Sequence, residues 1–313
     1  GSSTISSMRA RMENFTALLS GLPVDDDLVD DGWTHHLGRI VRAPMLPAAS
    51  LEERMAAAEA ADLAVMDEHR ARIDEIVDDP EVAELLKPHY RYMCRRPCFH
   101  DEYLGTFNRP NVTLVDCPQG VTAVTPGGLV AAGTEYDLDV IVFATGFEAE
   151  LTPLPRRAGH PIVGRDGTTL AEAWRDGAQT LHGMMTRGFP NLFLSPSPGQ
   201  QAVVSVNHAH VMEIGAEHIA AAIGVLDRAG VRIADVSDVA QAEWVAGVER
   251  TFTDRTDFLA ACTPSRITFD GDPSRQNRRN GSYGGFGGDI AGWIRILETW
   301  RSDPDLPGLE IER

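Results

Sequence analysis

Asp139-Val140-Ile141-Val142-Phe143-Ala144-Thr145-Gly146-Phe147 is the stretch on which the fold turns. From Val140 to Ala144 every residue is apolar, and Val140, Ile141 and Val142 are β-branched, which suits a pleated, packed strand. A strand wetted on one side would alternate apolar with polar, whereas an unbroken apolar run of this length predicts a strand covered on both faces, as in a parallel sheet. Thr145-Gly146 then ends the run with small side chains and open backbone donors, at the carboxyl edge of a sheet where nucleotide ligands approach closely. An α/β fold is the expectation.

Working outward, Val112 to Val115, Val121 to Thr125 and Leu129 to Ala131 are further β-prone runs, with Pro126-Gly127-Gly128 as a hairpin turn, and Leu192-Phe193-Leu194 reads as a second buried strand. The N-terminal region is helical instead. Met8, Met12, Phe15 and Leu19 recur at helical spacing and stop at Gly21. Ser50 and Glu53 form a capping box ahead of a stripe of Leu51, Met55, Ala58, Val65, Ile73 and Ile76, which predicts a long helix to Val77. Asp79-Pro80 starts a shorter one that ends before Pro88. Downstream, helices are expected from Asn207 to Arg228, closed by Gly230, from Trp244 to Phe258, and from Ile290 to Trp300, with a Gly-rich loop from Gly281 to Gly288.

The chain has 313 residues, 43% of them apolar, enough for a buried core and about two domains on a prior of roughly 150 residues each. Its 46 acids against 28 bases give a net charge of -18, which argues against nucleic acid and anionic membrane surfaces as partners. No continuous apolar stretch has spanning length, and Gly1-Ser2-Ser3-Thr4 lacks the features of a signal peptide, so a cytoplasmic protein is expected. Cys94, Cys98, Cys117 and Cys262 are too few and scattered for a disulfide framework, and reduced thiols are the expectation. No Cys-x-x-Cys pair occurs, and His208 and His210 would diverge on a helix, so no metal site is expected.

Arg91-Tyr92-Met93-Cys94-Arg95-Arg96-Pro97 places three arginines in six residues of this acidic chain. Such a cluster is either a solvated loop paired with nearby carboxylates or an anion site, since guanidiniums bind phosphate or a developing oxyanion by paired hydrogen bonds. The segment from Arg95 through Pro97-Cys98-Phe99-His100-Asp101 to Arg109-Pro110-Asn111-Val112 resembles the surroundings of the active-site arginine in Baeyer-Villiger monooxygenases. Asp139 to Phe147 is similar to a flavin-domain motif of that family, and Gly188-Phe189-Pro190-Asn191-Leu192-Phe193 matches a further pattern, in the same order along the chain. Gly32-Trp33-Thr34 and Asn280 to Gly285 look most like the branch that handles large or cyclic ketones.

The resemblance implies an enzyme that uses FAD and NADPH to convert a ketone and molecular oxygen into an ester or lactone by way of a flavin peroxide. It makes Arg96 the catalytic arginine and Arg95 the residue that holds the 2′-phosphate of NADPH. Thr145 and Gly146 would meet the flavin nucleotide, and Asn207 would lie near the isoalloxazine. Such an enzyme needs two Gly-x-Gly-x-x-Gly turns. Gly285-Phe286-Gly287 is the only Gly-x-Gly here and follows no strand. The resemblance therefore implies an incomplete pair of dinucleotide-binding (Rossmann-like) domains: residues 1–88 as a helical insertion of the NADP domain, 89–138 as the end of that domain, and 139–313 as the second half of the FAD domain. The missing N-terminal half would be a partner chain or a preceding segment. A related flavin monooxygenase that hydroxylates nitrogen or sulfur, and a non-catalytic assembly module, are the alternatives.

Overall fold

The structure is a computed structural model that describes residues 2–45, 50–145, 154–285 and 288–313. Its helices are α1 (Ser2–Leu19), α2 (Gly38–Arg42), α3 (Leu51–Ile76), α4 (Pro80–Leu86), α5 (Tyr103–Thr106), α6 (Leu154–Arg157), α7 (Leu170–Ala173), α8 (His208–Arg228), α9 (Asp238–Thr251), α10 (Thr256–Ala261) and α11 (Ile290–Ser302). The strands are β1 (Val121–Thr125), β2 (Gly128–Ala131), β3 (Thr134–Asp137), β4 (Ile233–Val236) and β5 (Leu309–Glu312). Contacts divide the chain into two compact units, one of residues 1–58 and 148–313 and one of residues 59–147.

Local chemistry sets the helix ends. Gly21 sits at φ +67 just beyond α1, where a Cβ would be strained. Ser50 and Glu53 exchange hydrogen bonds at the start of α3, Glu53 N–H to Ser50 Oγ at 3.2 Å and Ser50 N–H to Glu53 Oε2 at 2.7 Å. The Asp79 carboxylate accepts from the N–H groups of Glu81 and Val82, with Pro80 in the first turn, so α4 starts where the sequence places it.

In the smaller unit, Ile73 and Val77 at the end of α3 bury against Ala83 of α4. Strands β1, β2 and β3 form an antiparallel meander, turned at Pro126-Gly127 and at Ala132-Gly133, both of the latter at positive φ. The larger unit is built around α8. Val211, Ile214, His218, Ala222 and Leu226 recur along one buried face of that helix, packing against Trp293 and Leu297 of α11 and against Val236 of β4 and Trp300. This helix is long and apolar enough by composition to cross a membrane, yet that face is occupied by core contacts. Trp293, Leu297 and Trp300 share one buried face of α11, as their spacing predicts. Strands β4 and β5 pair antiparallel.

Three strand expectations fail here for one reason: strands are non-local. Val140 to Ala144 forms no strand; Val140, Val142 and Phe143 are 74, 82 and 77% exposed. A parallel strand needs hydrogen-bonded neighbours and a helix layer over each face, and no described segment supplies them. Both described sheets are antiparallel. Val112 to Val115 and Leu192 to Leu194 are likewise not assigned to strands, although Leu194 is buried and its N–H donates to the Met184 carbonyl. The helix expected from Trp244 to Phe258 is two helices, α9 beginning earlier at Asp238 under a Ser237 cap and α10 following a break at residues 252–255. Cys98 and Cys117 are free thiols, whereas Cys94 and Cys262 are disulfide-bonded, so the expectation of reduced thiols holds for two of the four cysteines only.

Candidate active site

The arginine segment lies in the smaller unit and begins on a buried carboxylate. Asp62 of α3 accepts from the Tyr92 backbone N–H at 2.9 Å and from Arg91 Nε at 3.3 Å. The Tyr92 ring stacks on His69, about two turns further along α3, with centroids 5.8 Å apart. A short 3₁₀ turn, Tyr92–Cys94, leads to Arg95 in an extended conformation. Arg95 and Arg96 are both exposed, and the Arg95 guanidinium lies over the Tyr90 ring at 5.4 Å from its centroid.

Thr145 belongs to the same unit and is exposed, at the end of the unpaired apolar run. Gly146 and Phe147 lie outside the described residues. Asn207 belongs to the other unit, where it is 8% exposed and precedes α8. Its amide nitrogen donates to the Met12 carbonyl and to Thr16 Oγ1, both at 3.1 Å, so both of its N–H groups are engaged by α1. Thr16 also meets His210 Nδ1 at 2.8 Å. The structure thus keeps Arg95, Arg96 and Thr145 in one unit and holds Asn207 in the other.

Sequence reading missed Asp62. Its signal was present, since position 62 falls on the α3 stripe four residues after Ala58 and three before Val65, where a charge is out of pattern. Also missed was an aromatic cage in the larger unit. His182 and His218 have ring centroids 5.4 Å apart, with Trp244 and Trp300 at 5.0 and 5.6 Å from His182. His182 Nδ1, both ring nitrogens of His218 and Trp244 Nε1 are buried without a hydrogen-bond partner. Burial, and secondarily His218, pushes His182 down to about 3; burial, with some help from Arg301, pushes His218 down to about 4. A groove of about 470 Å³ opens beside the cage, lined by residues that include His182, Tyr283, Asp289, Arg295 and Trp300. These residues are scattered over the sequence, and no local pattern announces the cluster.

No family model matches the chain. Curated proteins and solved structures do. Pentalenolactone D synthase of Streptomyces exfoliatus is 48% identical over 307 residues, which is 96% of this chain and 52% of that protein. Baeyer-Villiger monooxygenase ATR8 of Stachybotrys chlorohalonatus is 39% identical over 96% of this chain and 48% of its own length. The polycyclic ketone monooxygenase of Thermothelomyces thermophila superposes with a TM-score of 0.80 at 34% identity, covering 97% of this chain and 50% of that one.

Over 96% of its length the chain is homologous to pentalenolactone D synthase and to Baeyer-Villiger monooxygenases, and a polycyclic ketone monooxygenase is its structural neighbour. The chain spans about half the length of the curated relatives it matches. Solved structures of more distant neighbours include a complex with FAD and NADP. The donor set of the smaller unit suits such ligands: two guanidiniums for phosphate or an oxyanion, and a hydroxyl at the end of an apolar run.

Proposed function

We propose that this chain forms part of an FAD- and NADPH-dependent enzyme that inserts one oxygen atom beside the carbonyl of a ketone. The product is an ester, or a lactone when the ketone is cyclic. Adjacent exposed guanidiniums, Arg95 and Arg96, on a unit of a strongly acidic chain carry this reading. The names of the polycyclic ketone monooxygenase and of pentalenolactone D synthase favour a ring-fused substrate.

Bound FAD, reduced by NADPH, would activate molecular oxygen for the insertion, one oxygen atom going to the product and the other to water. The residues of this chain bind, orient and stabilise charge. Arg96 faces the negative charge that develops on the carbonyl oxygen as the new bond forms; a preorganised donor at such a position is typically worth about 2.7 to 4 kcal/mol, or a factor of about 10² to 10³ in kcat. Arg95 binds the 2′-phosphate of NADPH, for which a guanidinium fork is well suited. Thr145 and Gly146 contact the flavin nucleotide. Asn207, with its amide hydrogens engaged by α1, offers its carbonyl oxygen to the isoalloxazine.

The two Gly-rich turns that seat the pyrophosphates come from polypeptide other than these 313 residues, either a preceding segment or a partner chain. Val140 to Ala144, with Val140, Val142 and Phe143 exposed, is the run it would pair with and cover, Val140 and Val142 on one face and Phe143 on the other, completing a parallel sheet.

The test uses the complete enzyme carrying Arg96→Ala. NADPH should still reduce the flavin, read as loss of its yellow colour, while conversion of a bicyclic or tricyclic ketone to lactone disappears. Lactone formation at the parental rate would remove Arg96 from the mechanism. A colourless, stably folded chain that takes up no FAD even when the remaining polypeptide is supplied would remove the enzyme reading altogether.

A further inference from the structure

Asp62 occupies an apolar position of a helix and is buried, its side chain only 6% exposed. A carboxylate withdrawn from water is costly unless hydrogen bonds and an opposite charge replace its hydration, and a leucine or methionine would pack at such a site at least as well. What compensates Asp62 is one segment alone: the backbone N–H of Tyr92 on Oδ1 and the guanidinium of Arg91 on Oδ2. Neither contact serves the helix that carries Asp62. Both act on the chain immediately before Arg95 and Arg96.

Other contacts fix the same few residues. Tyr92 is itself buried and lies parallel to His69, at an interplanar angle of 11°. Arg91 Nη1 reaches Glu59 at 3.6 Å, and the Arg91 carbonyl accepts from the Cys94 N–H at 3.0 Å, which closes the 3₁₀ turn. From that turn the backbone runs extended through Arg95, at φ -133 and ψ 156, so the direction in which the chain reaches Arg96 is set by how the turn is anchored.

We infer that Asp62 is a positioning residue for Arg96: its buried carboxylate, clamping the Tyr92 N–H and the Arg91 guanidinium, fixes the turn that aims the catalytic arginine. The inference rests on the role of Arg96 proposed above. A guanidinium stabilises a developing charge only when held in register, and a displacement of about 1 Å at a reacting centre can cost on the order of 10²-fold in rate.

The FAD-loaded complete enzyme carries the test, with Asp62→Ala, Asp62→Leu and Asp62→Asn compared with Arg96→Ala. Two quantities are read: flavin reduction at saturating NADPH, and ester or lactone formed per NADPH consumed. Asp62→Ala and Asp62→Leu should reduce flavin within about twofold of the parent yet lower product per NADPH about tenfold or more. Asp62→Asn keeps an oxygen for the Tyr92 N–H and should retain product yield within about threefold. Asp62→Leu fills the site with apolar volume but leaves the Tyr92 N–H and the Arg91 guanidinium without their acceptor, so its thermal midpoint should fall; assayed well below that midpoint, its product yield should fall while flavin reduction stays near the parental rate, a split that a merely structural residue would not produce. Should Asp62→Ala fail to fold, Asp62→Leu and Asp62→Asn decide alone. Parental product yield in Asp62→Leu, or a loss in Asp62→Asn as deep as in Asp62→Leu, overturns the positioning role while a defective Arg96→Ala leaves the function standing. A silent Arg96→Ala removes Arg96 from the mechanism, and the positioning role with it.

Discussion

Acid should destabilise the larger unit at a pH where its carboxylates are still ionised, because the His182–His218 cage titrates first. Both imidazoles are held neutral by burial, with values near 3 and 4 against an ordinary 6.5. Between these limits the unfolded chain binds a proton at each histidine that the folded chain refuses. Stability is therefore fully present above pH 6.5 and is lost as the pH falls toward 4 and then 3. Each histidine contributes a slope of up to about 1.4 kcal/mol per pH unit, so the pair removes about 3 kcal/mol between pH 6.5 and 5, a large share of the roughly 5 to 15 kcal/mol that typical domains possess. His210, also pushed down mainly by burial, adds in the same direction. Carboxylates such as Glu172 and Asp254, held low by hydrogen bonds from Thr169 and Thr256, begin to lose their contribution only below 4.5 and 3.8, so they do not contaminate the window. Urea unfolding followed by tryptophan fluorescence at half-unit steps from pH 7.5 to 5 measures the slope directly, since Trp244 and Trp300 sit in the cage. His218→Phe, which keeps a ring against Trp300 but cannot take a proton, should flatten the slope by about 1.4 kcal/mol per pH unit. A midpoint constant from pH 7 to 5, or a slope unchanged in His218→Phe, would refute the cage as its origin.

Further outcomes follow from single residues. Arg95→Ala should raise the KM for NADPH at least about tenfold and leave that for NADH within about twofold, because only the former carries the 2′-phosphate; equal losses in a steady-state titration with both would detach Arg95 from the phosphate. Gly183→Ala should destabilise by about 3 kcal/mol in the same urea assay, since Gly183 is at φ +79 and an added Cβ would meet the Ala202 backbone. Val142→Lys should improve the solubility of the chain expressed alone and abolish FAD retention in the complete enzyme; if flavin content is unchanged, that face is not covered by the remaining polypeptide.

What the sequence disclosed was decided by the range of the interactions involved. The Ser50–Glu53 box and the Asp79-Pro80 start are settled within one helical turn, and both appear as written. The apolar faces of α8 and α11 were legible from spacing, because a helix needs no distant partner to define its periodicity. Val140 to Ala144 is the opposite case: its composition specifies a strand, but a strand exists only through neighbours, and the described chain provides none.

The candidate site follows the same division. Arg95 and Arg96 stood out because the charge is local and against the trend of the chain, whereas the His182–His218 cage draws on a loop, α8, α9 and α11 and leaves no trace in any one of them. Asp62 falls between the two. Its stripe position makes it anomalous in the sequence, yet only the structure shows that the anomaly is resolved by the backbone of Tyr92, thirty residues away. A buried charge in an apolar stripe marks a place where the fold holds something other than itself, and here what it holds is the approach to the arginines.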